Sequence, residues 1–309
     1  MTKQPKILLT GATGYIGGTL LHQFLTSSDP LFSSLSISAL DIILNLASGF
    51  ITPGALAFVK GLSLRQSQST NSFPPWILHI SGCTNLADKP LTGTAFLERE
   101  WNDLDSLAVY EYEKAEEGKK GGSYPQRTTA VGVLTLAEEL GVNAVLLNTS
   151  LIFGEGKGLF NKQGIIIPIL MQYIIEHGHG FSLTEEANFD WVHVEDLAGA
   201  YLLLLKTILA DRGKGKGIPR GKKGDAEGDY EEVEVGLEEI AEEITGGLID
   251  MAEMGWAGNK RMKGTVLRGL GWRPRCGEEE WDKEFGREVR ESIGRRRLWT
   301  LEWCIGRKG

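Results

Sequence analysis

The sequence predicts an α/β fold, a parallel sheet covered by helices on both sides. Three observations predict it. Short apolar runs alternate with segments of helical periodicity through the first half of the chain. A glycine-rich turn stands between the first apolar run and the first helix. A long apolar stretch, with Ile37, Leu40, Ile42, Ile43, Leu44 and Leu46, lacks polar alternation, as a strand buried on both faces requires.

The elements follow in order. Residues 6–10 read as a strand, with Ile7, Leu8 and Leu9 as its apolar centre. Ile16, Leu20, Leu21 and Phe24 recur at helical spacing, so a helix runs to about Thr26, and Asp29-Pro30 ends it. Residues 36–47 form the second apolar run, 55–62 a helix and 76–81 a third strand. Residues 98–123 are acidic, then rich in glycine and lysine, and read as an exposed loop with short helices. Val131, Leu134, Ala137 and Leu140 mark a helix over 127–140, with Gly141 as its stop and a strand over 142–148. Beyond Gly154 the texture changes. Helices are expected over 165–176, 195–209 and 237–249, a short strand over 190–194, a flexible surface loop over 211–228 and a charged helical tail from Glu278.

The chain has 309 residues, enough for one large domain or two lobes, and a net charge of −8. An acidic surface repels a phosphate backbone, so nucleic acid is not the expected partner. Arg295, Arg296 and Arg297 read as a solvated helix face or tail. Cys83, Cys276 and Cys304 have no metal-ligand spacing, and the expected state is free thiols in a reducing compartment. No run of 18 apolar residues predicts a membrane span, and no secretory leader pattern opens the sequence, so a cytoplasmic location is expected.

The turn itself is Gly11-Ala12-Thr13-Gly14-Tyr15-Ile16-Gly17-Gly18, with glycines at G-x-x-G-x-x-G spacing. In such a turn one glycine permits the sharp bend, one lets the backbone approach a pyrophosphate, and one lets helix pack on strand. The phosphate meets the free N–H groups and positive end of the helix. Thr13 and Tyr15 carry further donors. The predicted architecture is therefore a Rossmann-like, doubly wound parallel sheet.

These residues resemble the extended short-chain dehydrogenase/reductase superfamily, in particular its NAD-dependent epimerase/dehydratase-like proteins of fungal type. Asn45-Leu46-Ala47 resembles the turn after that family's fourth strand, beside the cofactor. Ile80-Ser81-Gly82 resembles the end of its fifth strand, where Ser or Thr contacts substrate. Thr149-Ser150-Leu151-Ile152-Phe153-Gly154 resembles the loop beside the nicotinamide. Trp191-Val192-His193-Val194-Glu195-Asp196-Leu197-Ala198 and Leu270-Gly271-Trp272-Arg273-Pro274 resemble two later signatures. The resemblance implies NAD or NADP as cofactor, held by Gly11, Thr13, Gly14, Tyr15, Ile16, Gly17, Asn45 and Ala47. It also implies a small-molecule substrate and hydride transfer at a carbonyl or alcohol carbon of an aldehyde, ketone or sugar nucleotide.

The pattern breaks twice. Gly17 to Asn45 is too short for the family's two strands and helix, so the sheet is expected to be one strand–helix–strand unit short. Asp41 then has two readings, as a ribose-binding carboxylate about 20 residues beyond the turn, or as a plain residue at a strand start. The family's Tyr-x-x-x-Lys dyad has one match in spacing, Tyr110 with Lys114, upstream of the helix where it should stand. Tyr124, at the start of that helix, has Thr128 four residues on. Ser81, Tyr110 and Lys114 are the expected catalytic residues; surface roles for the dyad stay open. His193 is expected to be packed, and His177 and His179 to be exposed, with no carboxylate or Cys at metal-ligand spacing. The expected domains are a Rossmann domain over 1–154, completed by 190–210, and a smaller C-terminal substrate lobe over 155–309. An NAD(P)-dependent enzyme leads; a non-catalytic NAD(P)-binding regulator and a truncated inactive homologue are the alternatives.

Overall fold

The computed structural model describes residues 5–32, 41–68, 73–119, 121–188, 190–218 and 236–293. Its elements in chain order are β1 (Ile7–Thr10), α1 (Tyr15–Thr26), β2 (Ile42–Asn45), α2 (Thr52–Gln68), β3 (Trp76–Gly82), β4 (Glu100–Asn102), α3 (Ser106–Gly118), α4 (Pro125–Leu140), β5 (Asn143–Thr149), β6 (Leu151–Phe153), α5 (Ile166–His177), β7 (Trp191–His193), α6 (Val194–Ala210), α7 (Leu237–Thr245), α8 (Ile249–Trp256), β8 (Arg261–Lys263), α9 (Thr265–Leu270) and α10 (Glu278–Ser292). The main sheet is parallel in the order β1-β2-β3-β5. Two parallel pairs, β4 with β8 and β6 with β7, lie outside it.

Side chains alternate across a strand, so each strand feeds two cores. Ile42, Leu44, Trp76, Leu78, Val145 and Leu147 pack with Leu20 of α1 and Tyr201 and Leu205 of α6. Ile43, Ile77 and Ala144 pack on the other face with Val59 and Leu62 of α2 and Val133 and Ala137 of α4. Ile42, Leu44, Leu78 and Leu20 are fully covered, and each such side chain contributes about 2 kcal/mol of burial free energy. A third core joins Tyr173, Phe181, Ile240, Ile244 and Trp256. No helix among the described residues is long and apolar enough to cross a membrane.

Two expectations are corrected. Residues 98–123, expected as an exposed loop with short helices, hold β4 and the 13-residue, partly buried α3. Asp105 starts α3 by accepting from Ala108 N at 3.4 Å. Val109, Tyr110 and Glu113 form the buried side of α3, and the acidic residues around them hid that face from a periodicity argument. The helix expected over 237–249 is split, because Gly246 and Gly247 adopt φ of +61° and +81°. That left-handed backbone ends α7, and α8 starts afresh. The buried strand expected over 36–47 is observed as β2; residues 36–40 lie outside the described residues, as do 219–228 of the expected loop, Arg295–Arg297 and Cys304.

Asp41 is decided by strand direction. It precedes β2, and its carboxylate accepts from Lys6 N at 2.9 Å and pairs with Arg65. Lys6 precedes β1, whose other end leads into Gly11. The carboxylate therefore sits at the opposite end of the sheet from the glycine turn, and the strand-start reading holds. β1 is the outermost strand among the described residues, which agrees with a sheet one unit short on that side.

Candidate functional site: the glycine turn and the strand ends

Thr10, last residue of β1, pins the turn. Its hydroxyl donates to Asn45 Oδ1 at 2.9 Å and accepts from Leu46 N and Ala47 N at 3.2 and 3.3 Å. Gly11 has φ +73°, and a Cβ there would stand 2.8 Å from the Leu46 carbonyl. The first two expected cofactor segments are thus in direct contact. Gly14 N donates to Gly11 O at 2.8 Å, and α1 begins at Tyr15. A Cβ at Gly17 would lie 2.3 Å from Gly11 O, so the turn closes on the helix only with glycine there. The start of α1 has neither a capping side chain nor an acidic residue in its first turn. Its first N–H groups and its positive dipole end are therefore left for an anion.

Other expected contacts change role. The Tyr15 hydroxyl donates to Gly154 O at 2.6 Å, so Tyr15 can offer a phosphate its backbone N–H but not its phenol. The Asn45 side chain is buried between Thr10 and His79, with Nδ2 2.8 Å from His79 Nδ1. It locks three strands together, while Ala47, two residues on, is exposed. Burial pushes the His79 ring down to about 4, so this histidine is neutral. Thr13 is exposed beside the turn, and its carbonyl accepts from Asn161 N at 3.4 Å.

The late motifs assemble around the same end of the sheet. Gly154 has φ +92° and presses on His193, where a Cβ would meet Nε2 at 2.0 Å. His193 is buried, caps α6 by accepting from Glu195 N at 3.2 Å, and is held below the ordinary histidine value by burial. The Asp196 carboxylate accepts from Arg275 N and Cys276 N, and its carbonyl accepts from Trp272 Nε1 at 2.9 Å. A cavity of about 180 Å³ runs beside β5, lined among others by Asn148, Thr149, Trp191, His193, Arg268 and Trp272.

The expected dyad does not reach this site. Tyr110 is buried in the α2–α4 core, and its hydroxyl lies 2.9 Å from Thr135 Oγ1. Thr135 is nine residues along α4 from Gln126, whose amide abuts Gly49 and Gly82 at the strand ends. Nine helical residues span roughly 13 Å, so the phenol points away from the cleft. Lys114 is exposed, its Nζ 5.7 Å from the Tyr110 ring centre. Tyr110→Phe is expected to cost about 1 kcal/mol in denaturant unfolding, the value of one hydrogen bond, and to leave nucleotide affinity unchanged. Tyr124 packs against Phe50, Met251 and Met254.

Ser81 does stand at a strand end, 2% exposed. Its hydroxyl accepts from Asn85 Nδ2 at 3.0 Å. Behind it, Glu113 Oε1 accepts from Asn148 Nδ2 at 2.9 Å and Asn85 Nδ2 at 3.2 Å. Burial pushes the Glu113 carboxyl up to about 7. Sequence reasoning passed over Glu113 because it lay in a stretch rich in glutamate. Folding brings Glu243 to His177 and its chain neighbour Glu176: one donor atom of each lies within 4.8 Å of the others, on the surface, and His179 is not among them.

No family model matches the chain. A curated protein described as oxidase ucsJ, from Acremonium sp, is 24% identical over 89% of this chain and 93% of its own length. Among solved structures, human epimerase family protein SDR39U1 with NADPH matches with a TM-score of 0.51 and 12% identity, over 92% of this chain and 99% of that one. RMD from Pseudomonas aeruginosa complexed with NADPH matches with a TM-score of 0.51 and 14% identity, over 93% and 99%. The fold is that of the extended short-chain dehydrogenases/reductases. In this fold the glycine turn stands at the carboxyl ends of the strands, where open parallel sheets bind ligands.

Proposed function

We propose that the chain binds NAD or NADP and transfers hydride to or from a carbonyl or alcohol carbon of a small molecule. The uncapped start of α1 behind Gly11, Gly14 and Gly17 carries this reading. The backbone N–H groups of Tyr15, Ile16 and Gly17 would hold the pyrophosphate, with Thr13 and Ala47 flanking it. The nicotinamide would supply the hydride chemistry when bound. The substrate would enter between the sheet and a C-terminal lobe, and Ser81 is the hydroxyl retained for its reacting oxygen. Tyr110 and Lys114 are left out, because the Tyr110 hydroxyl bonds Thr135 inside the core.

That displaced phenol favours a second reading, in which the protein binds NAD(P) without turning over. One experiment separates the two. NADH and NADPH are titrated into the purified chain by nicotinamide fluorescence, followed by turnover assays on aldehydes, ketones and sugar nucleotides. Saturable binding with turnover supports the enzyme. Binding with none supports the second reading, and no binding of either cofactor overturns both.

A further inference from the structure

Glu113 is a buried carboxyl among amides. From β3 and the turn after it come Ser81 and Asn85, from β5 Asn148, and from α4 the guanidinium of Arg127. Arg127 is the charge that acts on Glu113, but its own donors go to Asn85 O at 3.0 Å, Gly122 O at 3.3 Å and Met254 Sδ at 3.7 Å. On α3 itself, Lys114 is exposed, Tyr110 bonds Thr135, and Tyr112 donates to Ala87 O at 3.2 Å.

Asn85 is lopsided. Its Nδ2 has two hydrogens for three acceptors: Ser81 Oγ at 3.0 Å, Glu113 Oε1 at 3.2 Å and Asn148 Oδ1 at 3.5 Å. Its Oδ1 is buried, with no hydrogen-bond partner among the described residues. Amide orientation follows from such partners, and a negative charge on Glu113 explains why the N–H side faces the crowd. A neutral Glu113 removes that reason. Its O–H and the Ser81 O–H could then both donate to a turned Asn85 carbonyl oxygen, and the serine hydrogen would be spent.

We propose that Glu113 is a positioning residue for Ser81: as a carboxylate it keeps an Asn85 N–H on Ser81 Oγ, which leaves the serine hydrogen for a substrate oxygen. The proposal deepens the enzyme reading above and rests on it. Burial brings the Glu113 titration to about 7, so both arrangements are populated near neutral pH. Proton uptake withdraws the serine donor, and release restores it.

The test follows the side-chain amide of Asn85 in the ¹⁵N-labelled full chain by NMR, with its resonances identified by their loss in Asn85→Ala. In the wild type they are expected to shift with one proton near neutral pH. In Glu113→Gln they stay fixed. Below the midpoint kcat rises about tenfold per pH unit, and this dependence disappears in Glu113→Gln. In Ser81→Ala the amide still titrates, but kcat no longer follows it. Amide resonances that do not move with pH in the wild type overturn the proposal, even if Glu113→Gln fails to fold. So does a shift that persists in Glu113→Gln, or a kcat profile unchanged by it. The NMR arm needs no cofactor, so the failure of the enzyme reading shows separately in the NAD(P)H titration. Amide titration without cofactor binding or turnover makes Glu113 a structural group and ends its positioning role.

Discussion

Gly17→Ala is expected to weaken NADPH binding by about 100-fold or more, equivalent to about 2.7 kcal/mol. The added methyl would fall 2.3 Å from the carbonyl oxygen of Gly11 and 2.7 Å from its carbon. Both atoms are backbone, so no side-chain rotation relieves the clash. Either α1 moves off β1 or the turn opens, and in both cases the N–H groups at the start of α1 lose their common aim. The matched control is Gly61→Ala. Gly61 lies within α2, exposed, with nothing within 4 Å of an added Cβ. That replacement is expected to raise stability by roughly 0.5–1 kcal/mol, as alanine does over glycine inside a helix, and to leave binding unchanged. Circular dichroism reports whether each variant is folded, and fluorescence titration measures its affinity. Unchanged NADPH affinity in folded Gly17→Ala would falsify the glycine turn as the phosphate site.

The second large effect is on stability. Glu113 titrates at an ordinary 4.5 in the unfolded chain and at about 7 in the fold, where burial is the leading cause. Between these values the folded state holds a proton that the unfolded state has released. Unfolding free energy is therefore highest below 4.5, falls as pH rises to about 7, and levels off beyond. At 1.36 kcal/mol per pH unit the contribution is about 3 kcal/mol. Other groups titrate as well, so the informative quantity is the difference between wild type and Glu113→Gln. Urea unfolding at stepped pH should show the variant gaining about 3 kcal/mol on the wild type over this window. A flat difference curve would show that Glu113 has an ordinary acidity. The sign fits the positioning role: the ionised form is the costly one, and the fold keeps its carboxyl beside Ser81 at that cost.

Much of this architecture follows from sequence, because the signals are local. The turn needs glycine where the backbone bends or touches itself, and Gly11, Gly14 and Gly17 stand at that spacing. Strands β1, β2, β3 and β5 are apolar runs because both of their faces meet helices. Asn45-Leu46-Ala47 belongs beside the turn, and Thr10 holds it there. The chemistry is less legible. Tyr110 and Lys114 have the right spacing, yet spacing does not tell which face of α3 meets the core. Packing decided that, and it turned the phenol toward Thr135. Asp41 lies at a plausible distance along the chain, but strand direction put it at the far end of the sheet.

Local residue order is enough to specify a glycine turn between a buried strand and a helix, followed by a parallel sheet that is one unit short among the described residues. Those are properties of neighbours in the chain, set by backbone sterics and apolar periodicity. Which polar groups share the strand ends was set by packing. Ser81, Asn85, Glu113 and Asn148 come from separate elements up to 67 residues apart, between Ser81 and Asn148. Hydrogen-bond partners and the low polarity of an interior exist only once those elements pack. The acidity of Glu113 is a property of that environment, and no glutamate carries it in its sequence.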